Sequence, residues 1–108
     1  LPRTPALLFA ARPPPRPTLS PDTTLVRAHT NLGNALRDKG DLDGAIASYK
    51  KALSIDPKYV SAHSNLGSAL ATKGDLDGAI ASWKQALALD PNHVGARKNL
   101  GRALRMKR

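Results

Sequence analysis

Three asparagines, Asn31, Asn65 and Asn99, stand 34 residues apart, each followed by Leu-Gly. A side-chain amide carries both a donor and an acceptor and so complements a peptide unit. That chemistry binds rather than reacts. Lys98 and Arg102 lie one helical turn apart, a spacing that lets two cations attract one acidic group. The remaining polar patterns read as structural. His29 and His63 are also 34 residues apart, but a metal needs three or four converging ligands, and one imidazole per step reads as packing. Asp41-Leu42-Asp43-Gly44 lacks the later glycine and glutamate of a calcium loop, and the chain has no Glu at all. It reads as a helix cap. No Ser is arranged with a His and an acid in a pattern that supports a hydrolase triad. The sequence therefore presents no catalytic residue, no cofactor site and no metal site.

The elements that must position these residues repeat with the same step. Residues 26–59 and 60–93 align without a gap and agree at 23 of 34 positions, and residues 94–108 repeat the first 15 positions of the unit. A fixed step of this length marks a repeat protein with two full units and the first half of a third. Each unit reads as two helices. The first spans about 25–39, with Leu25, Ala28, Leu32, Ala35 and Leu36 on one apolar face. Gly40 ends it. Asp41 then caps a second helix over 42–55, which carries Leu42, Ala45, Ile46, Tyr49, Ala52 and Leu53 on one face. Asp56-Pro57 closes the unit, the proline fitting a first helical turn and the carboxylate its positive end. The second unit repeats this plan, and a single helix over about 94–107 follows. Gly44 and Gly78, in the first turn of each second helix, suggest tight packing there. The fold class is all-α.

Residues 1–24 differ in kind. They hold seven of the nine prolines, including Pro13-Pro14-Pro15, and read as an extended or irregular leader before a domain at 25–108. The run Ala6–Ala11 is too short for a firm secretory signal. With no Cys, the redox compartment is unreadable, and no apolar run approaches the roughly 20 residues of a membrane span. A cytoplasmic setting is the default expectation. The formal charge of +9 is unevenly placed: residues 91–108 contribute six cations and no acid. Such a cluster suits phosphates, but it lacks the aromatics that stack on bases, so nucleic acid is a minor expectation beside a solvated helix end.

Leu32-Gly33, Ala45, Tyr49, Ala52 and Pro57 in the first unit, and Leu66-Gly67, Ala79, Trp83, Ala86 and Pro91 in the second, resemble the large-and-small pattern of the tetratricopeptide repeat. His29 and His63 replace an aromatic of that pattern, and Leu36 and Leu70 a tyrosine. The resemblance covers residues 25–108. It implies antiparallel helix pairs stacked in a right-handed superhelix, with first helices lining a concave groove. The second, fifth, sixth, ninth, twelfth and thirteenth places of each first helix would face that groove. Neighbouring first helices about 8–10 Å apart would set Asn31, Asn65 and Asn99 in a ladder, similar to that of O-linked N-acetylglucosamine transferases, able to hold an extended peptide by its backbone. Asn34 joins them as a backbone contact, and Lys98 and Arg102 would meet acidic side chains. The family's carboxylate clamp is matched at Asn34 and Asn65 only; Thr30, Gly95 and Asn99 stand where it needs cations, so a chaperone-type clamp of the usual form is not expected. The resemblance implies a non-catalytic module that binds a protein or peptide partner. The alternatives are a regulatory or assembly segment of a larger enzyme, such as a kinase or glycosyltransferase, and weak nucleic-acid binding through the terminal helix.

Overall fold

The structure, a computed structural model, describes residues 21–107; of the irregular leader expected over residues 1–24, residues 1–20 lie outside them, and residues 21–24 are helical instead. Five helices follow in order: α1 (Pro21–Asp38), α2 (Leu42–Ile55), α3 (Val60–Lys73), α4 (Leu76–Leu89) and α5 (Val94–Lys107). The described residues form no strand, and none of their helices is long and apolar enough to cross a membrane. Helix α1 begins before the expected start at Leu25. Pro21 suits a first helical position because its missing amide is not needed there, and Asp22 in the first turn meets the positive helix end.

The turns follow from residue chemistry. Gly40 and Gly74 adopt φ of 92° and 102°, a region costly for any residue with a Cβ. Asp41 and Asp75 then accept the amides of Gly44 and Gly78 at 2.9 Å, closing α2 and α4 at their N-termini. The close packing expected at Gly44 and Gly78 is against these caps: a Cβ on either would stand 2.4–2.5 Å from the carboxylate of Asp41 or Asp75. Asp56 and Asp90 act differently from the expectation. Pro57 and Pro91 lie in turns, not in helices. The carboxylates of Asp56 and Asp90 accept the amides of Lys58 and Asn92, and their own N–H groups close α2 and α4 on Ala52 and Ala86.

The core is a run of small residues around two rings. Tyr49, Ala45, Ile46, Leu66 and Ala69 form one cluster; Trp83, Ala79, Ile80, Ala86, Ala96 and Ala103 form another. In each unit the ring of the second helix lies flat on a glycine of the first. A Cβ on Gly33 would stand 2.5–2.9 Å from the Tyr49 ring, and one on Gly67 would stand 2.6–2.8 Å from the Trp83 indole. The face expected on α2 is buried or half-buried as read. The stripe expected on α1 is not. Leu25 is 47% exposed and Leu32 50%, and Ala28 and Ala35 are exposed, whereas Val26, Thr30 and Gly33 are buried. The equivalent Leu66 and Ala69 of α3 are buried against α2, and no described helix occupies the corresponding flank of α1.

Helix α5 covers the second unit through Ala96, Ala103 and Leu100 against the Trp83 cluster. Ion pairs link Lys73 to Asp43 and Lys107 to Asp77 across successive units. These groups are largely exposed, and such pairs contribute about 0–1 kcal/mol. Burying one large apolar side chain contributes about 1.5–3 kcal/mol, so apolar packing, more than the ion pairs, docks α5.

Gly67→Ala should therefore lose about 1–3 kcal/mol by overpacking against Trp83. Gly101→Ala, whose new Cβ would meet nothing nearer than Arg105 at 3.7 Å, should gain about 0.5–1 kcal/mol from helix propensity. Urea denaturation of both variants measures the contrast; equal gains would contradict the ring-on-glycine contact.

Candidate peptide-binding groove

The first helices α1, α3 and α5 present the candidate residues, but the three asparagines are not equivalent. Asn31 is exposed and borders an open depression with Thr24, Arg27 and Ala28. Asn65 is half-buried, and its amide donates to Asn34 Oδ1 at 3.1 Å. Asn99 is half-buried and lines a concavity of about 230 Å³ between α3, α4 and α5. Arg102 lines the same concavity, with Leu76, Trp83 and the exposed Met106. Lys98 is exposed, one turn before Arg102.

Asn34 differs most from its expected role. Its Oδ1 accepts from Tyr49 Oη at 2.5 Å and from Asn65 at once. Both lone pairs are thereby used, leaving its amide N–H groups as the remaining capacity. Asn34 thus ties the buried Tyr49 ring to the groove. Trp83 satisfies its indole N–H on the carbonyl of Ser64 instead, at 3.1 Å. The fifth place of the unit is also not open as expected: Thr30 is buried, donating to the Val26 carbonyl at 2.8 Å, and Ser64 is buried too. Only Lys98 is exposed at that place. No side-chain polar atom buried among the described residues lacks a hydrogen-bond partner.

His63 and His93 make structural contacts, by a route the sequence did not show. His63 Nε2 lies 2.7 Å from the Pro57 carbonyl and donates to it. Arg97, at the equivalent place, donates to the Pro91 carbonyl at 2.8 Å. At both junctions a donor at this place closes the turn between units. His93 Nδ1 accepts the Ala96 amide at 3.0 Å and caps α5. No group of three metal-binding side chains occurs among the described residues.

Burial raises the pKa of Tyr49 above 10.0; nearby Arg37 opposes the shift and Asp38 adds to it. The folded chain then holds this proton more tightly than the unfolded chain. The associated stability is present below pH 10 and is lost as pH rises through the folded value. Phenolate absorbance, taken as wild type minus Tyr49→Phe, should show a titration above the ordinary value. The same variant should cost about 0.5–1.5 kcal/mol at neutral pH through the lost bond to Asn34. A difference titration at or below 10.0 would contradict the burial.

Comparison with known proteins agrees with this architecture. A family model described as TPR repeat matches residues 33–74 and again 67–107. A solved structure, the first TPR of Spaghetti (RPAP3) bound to the HSP90 peptide SRMEEVD, is similar with a TM-score of 0.72 and 25% identity. The match covers 74% of this chain and 65% of that one. No curated protein matches the chain. The two model matches together take in more than half of the sequence, and the chain belongs to the tetratricopeptide repeat family.

Proposed function

We propose that the domain is a non-catalytic module that holds an extended peptide along the face formed by α1, α3 and α5. One observation carries the reading: Asn99 and Arg102 line an open concavity together with Leu76, Trp83 and Met106, so an amide, a cation and apolar side chains converge in one place. Asn31 and Asn65 continue the row of amides on the preceding first helices. The similar solved structure holds a peptide, which supports a peptide ligand here.

Roles within the groove are graded. Asn65 and Asn99 meet the peptide backbone, with Asn31 at the open end. Asn34 positions Asn65 and keeps its N–H groups for the ligand. Arg102, assisted by Lys98, favours an acidic side chain beside an apolar one seated against Met106. The cations of the usual carboxylate clamp are absent, Thr30, Gly95 and Asn99 standing in their places, so the preferred ligand is an internal extended segment with an acidic residue, and a free C-terminal carboxylate is not required. Lys107 pairs with Asp77 and Arg97 with the Pro91 carbonyl. The basic helix therefore divides its cations among several tasks, which favours a peptide over nucleic acid.

Replacing Asn31, Asn65 and Asn99 together by Ala should remove up to six amide–peptide hydrogen bonds of about 0.5–1.5 kcal/mol each. Affinity for a pool of extended peptides should fall at least tenfold, about 1.4 kcal/mol, with the helical fold retained. Replacing Lys98 and Arg102 by Ala should weaken acidic peptides only, and less at high salt. A folded triple variant that binds as wild type does would remove the asparagines from the site.

A further inference from the structure

The outward flank of α1 is apolar and bare. Leu25 is 47% exposed and Leu32 50%, and Ala28 and Ala35 are exposed. The equivalent flank of α3 holds Ala62, Leu66 and Ala69, all buried, with α2 packed on Leu66 and Ala69. The chain continues for 20 residues before α1, but they lack the pattern of a repeat's second helix. Pro15 stands one unit before Tyr49, and Pro13-Pro14-Pro15 would deprive a helix there of its amide donors.

Spacing and charge select the occupant. Leu25, Ala28, Leu32 and Ala35 recur at alternating steps of three and four, the seam of a two-helix coiled coil. Large and small residues alternate along that seam. When two such helices lie antiparallel, Leu25 meets a second copy's Ala35, and Leu32 meets its Ala28. Each leucine thus falls on an alanine. The pattern is complementary to itself, as a two-fold interface requires. The same register sets Asp22, in the first turn, beside Lys39, just past the last, at both ends of the contact. Both side chains are exposed and have no ion-pair partner among the described residues. The residues equivalent to Lys39 in later units do have one, Lys73 on Asp43 and Lys107 on Asp77. One unit before Asp43 stands Phe9, and residues 1–20 hold three arginines and no acid. The leader therefore offers Lys39 no partner, whereas a second copy offers Asp22.

We propose that α1 docks antiparallel on α1 of a second copy, through Leu25, Ala28, Leu32 and Ala35, with an Asp22–Lys39 pair at each end. One helix face per copy is smaller than the roughly 1,200 Å² of a stable interface, so the dimer forms at high concentration and dissociates on dilution. The concavity at Asn99 and Arg102 is lined by α3, α4 and α5 and stays open.

The test is sedimentation equilibrium of the full chain over a wide concentration range. A monomer–dimer equilibrium is expected, and changing Leu25 and Leu32 together to Gln should abolish the dimer. Asp22→Lys and Lys39→Asp should each weaken it about fivefold, and together should restore it. The chain has no cysteine, so mixing an Ala28→Cys variant with a Leu32→Cys variant under mild oxidation reads the register directly. The mixed disulfide should form well above its statistical share. Where circular dichroism shows that Asp22→Lys frays α1, the cysteine mixture decides. The proposal is overturned by a monomer at every concentration, by a dimer that the double Gln variant retains, or by symmetric disulfides in excess. A monomer that dimerises once Leu8 and Phe9 are both changed to Ser overturns it too, and assigns the flank to the leader.

Discussion

The structure depends on one contact made twice, an aromatic ring of a second helix lying on a glycine of the first. Tyr49 on Gly33 and Trp83 on Gly67 set how closely each helix pair approaches. A single methyl group at either glycine would fall inside the ring's van der Waals surface, so the pair would have to separate or tilt. Protein interiors are packed densely enough that such a shift propagates to neighbouring layers. Ala45, Ala52, Ala62, Ala79 and Ala86 around the rings are fully buried, and only small side chains let the next helix close over them.

The same rings connect core to surface. Tyr49 places its hydroxyl on Asn34, and Asn34 accepts from Asn65. The Asn65 amide of the second unit is thus oriented by the core of the first. Trp83 anchors on a backbone carbonyl instead, and Asn99 has no described hydrogen bond to Ser68, its counterpart to Asn34 across the same concavity. The two halves of the groove therefore differ: one is preorganised, the other more open and beside a cation. For a ligand held on this face, preorganisation would lower the ordering cost, while the open concavity with its apolar lining would supply contact area.

The sequence carried most of the fold because the repeat step, the glycine stops and the aspartate caps are local signals. Gly40, Asp41, Gly74 and Asp75 do what their residue types favour. Most of the misread features were non-local. The buried face of α1 depends on which flank a neighbouring helix covers, so Leu25 and Leu32 looked like core, while Val26 and Thr30 are. The start of α1 at Pro21 was masked by the proline-rich stretch before it. Asn34 looked like a free groove residue because its bond to Tyr49 spans 15 positions. The turn-closing role of His63 and Arg97 had a faint signal, two unlike donors at one place of the unit, each six residues after a proline.

The most direct measurement is nitrogen–proton NMR of the side-chain amides while an acidic extended peptide is added to the whole chain. If the first-helix face holds the ligand, the Asn65 and Asn99 amide signals should shift together, saturating at one affinity, with smaller movement at Asn34. Unmoved Asn65 and Asn99 signals, with shifts confined to α2 and α4, would place the ligand on the opposite face and contradict the account.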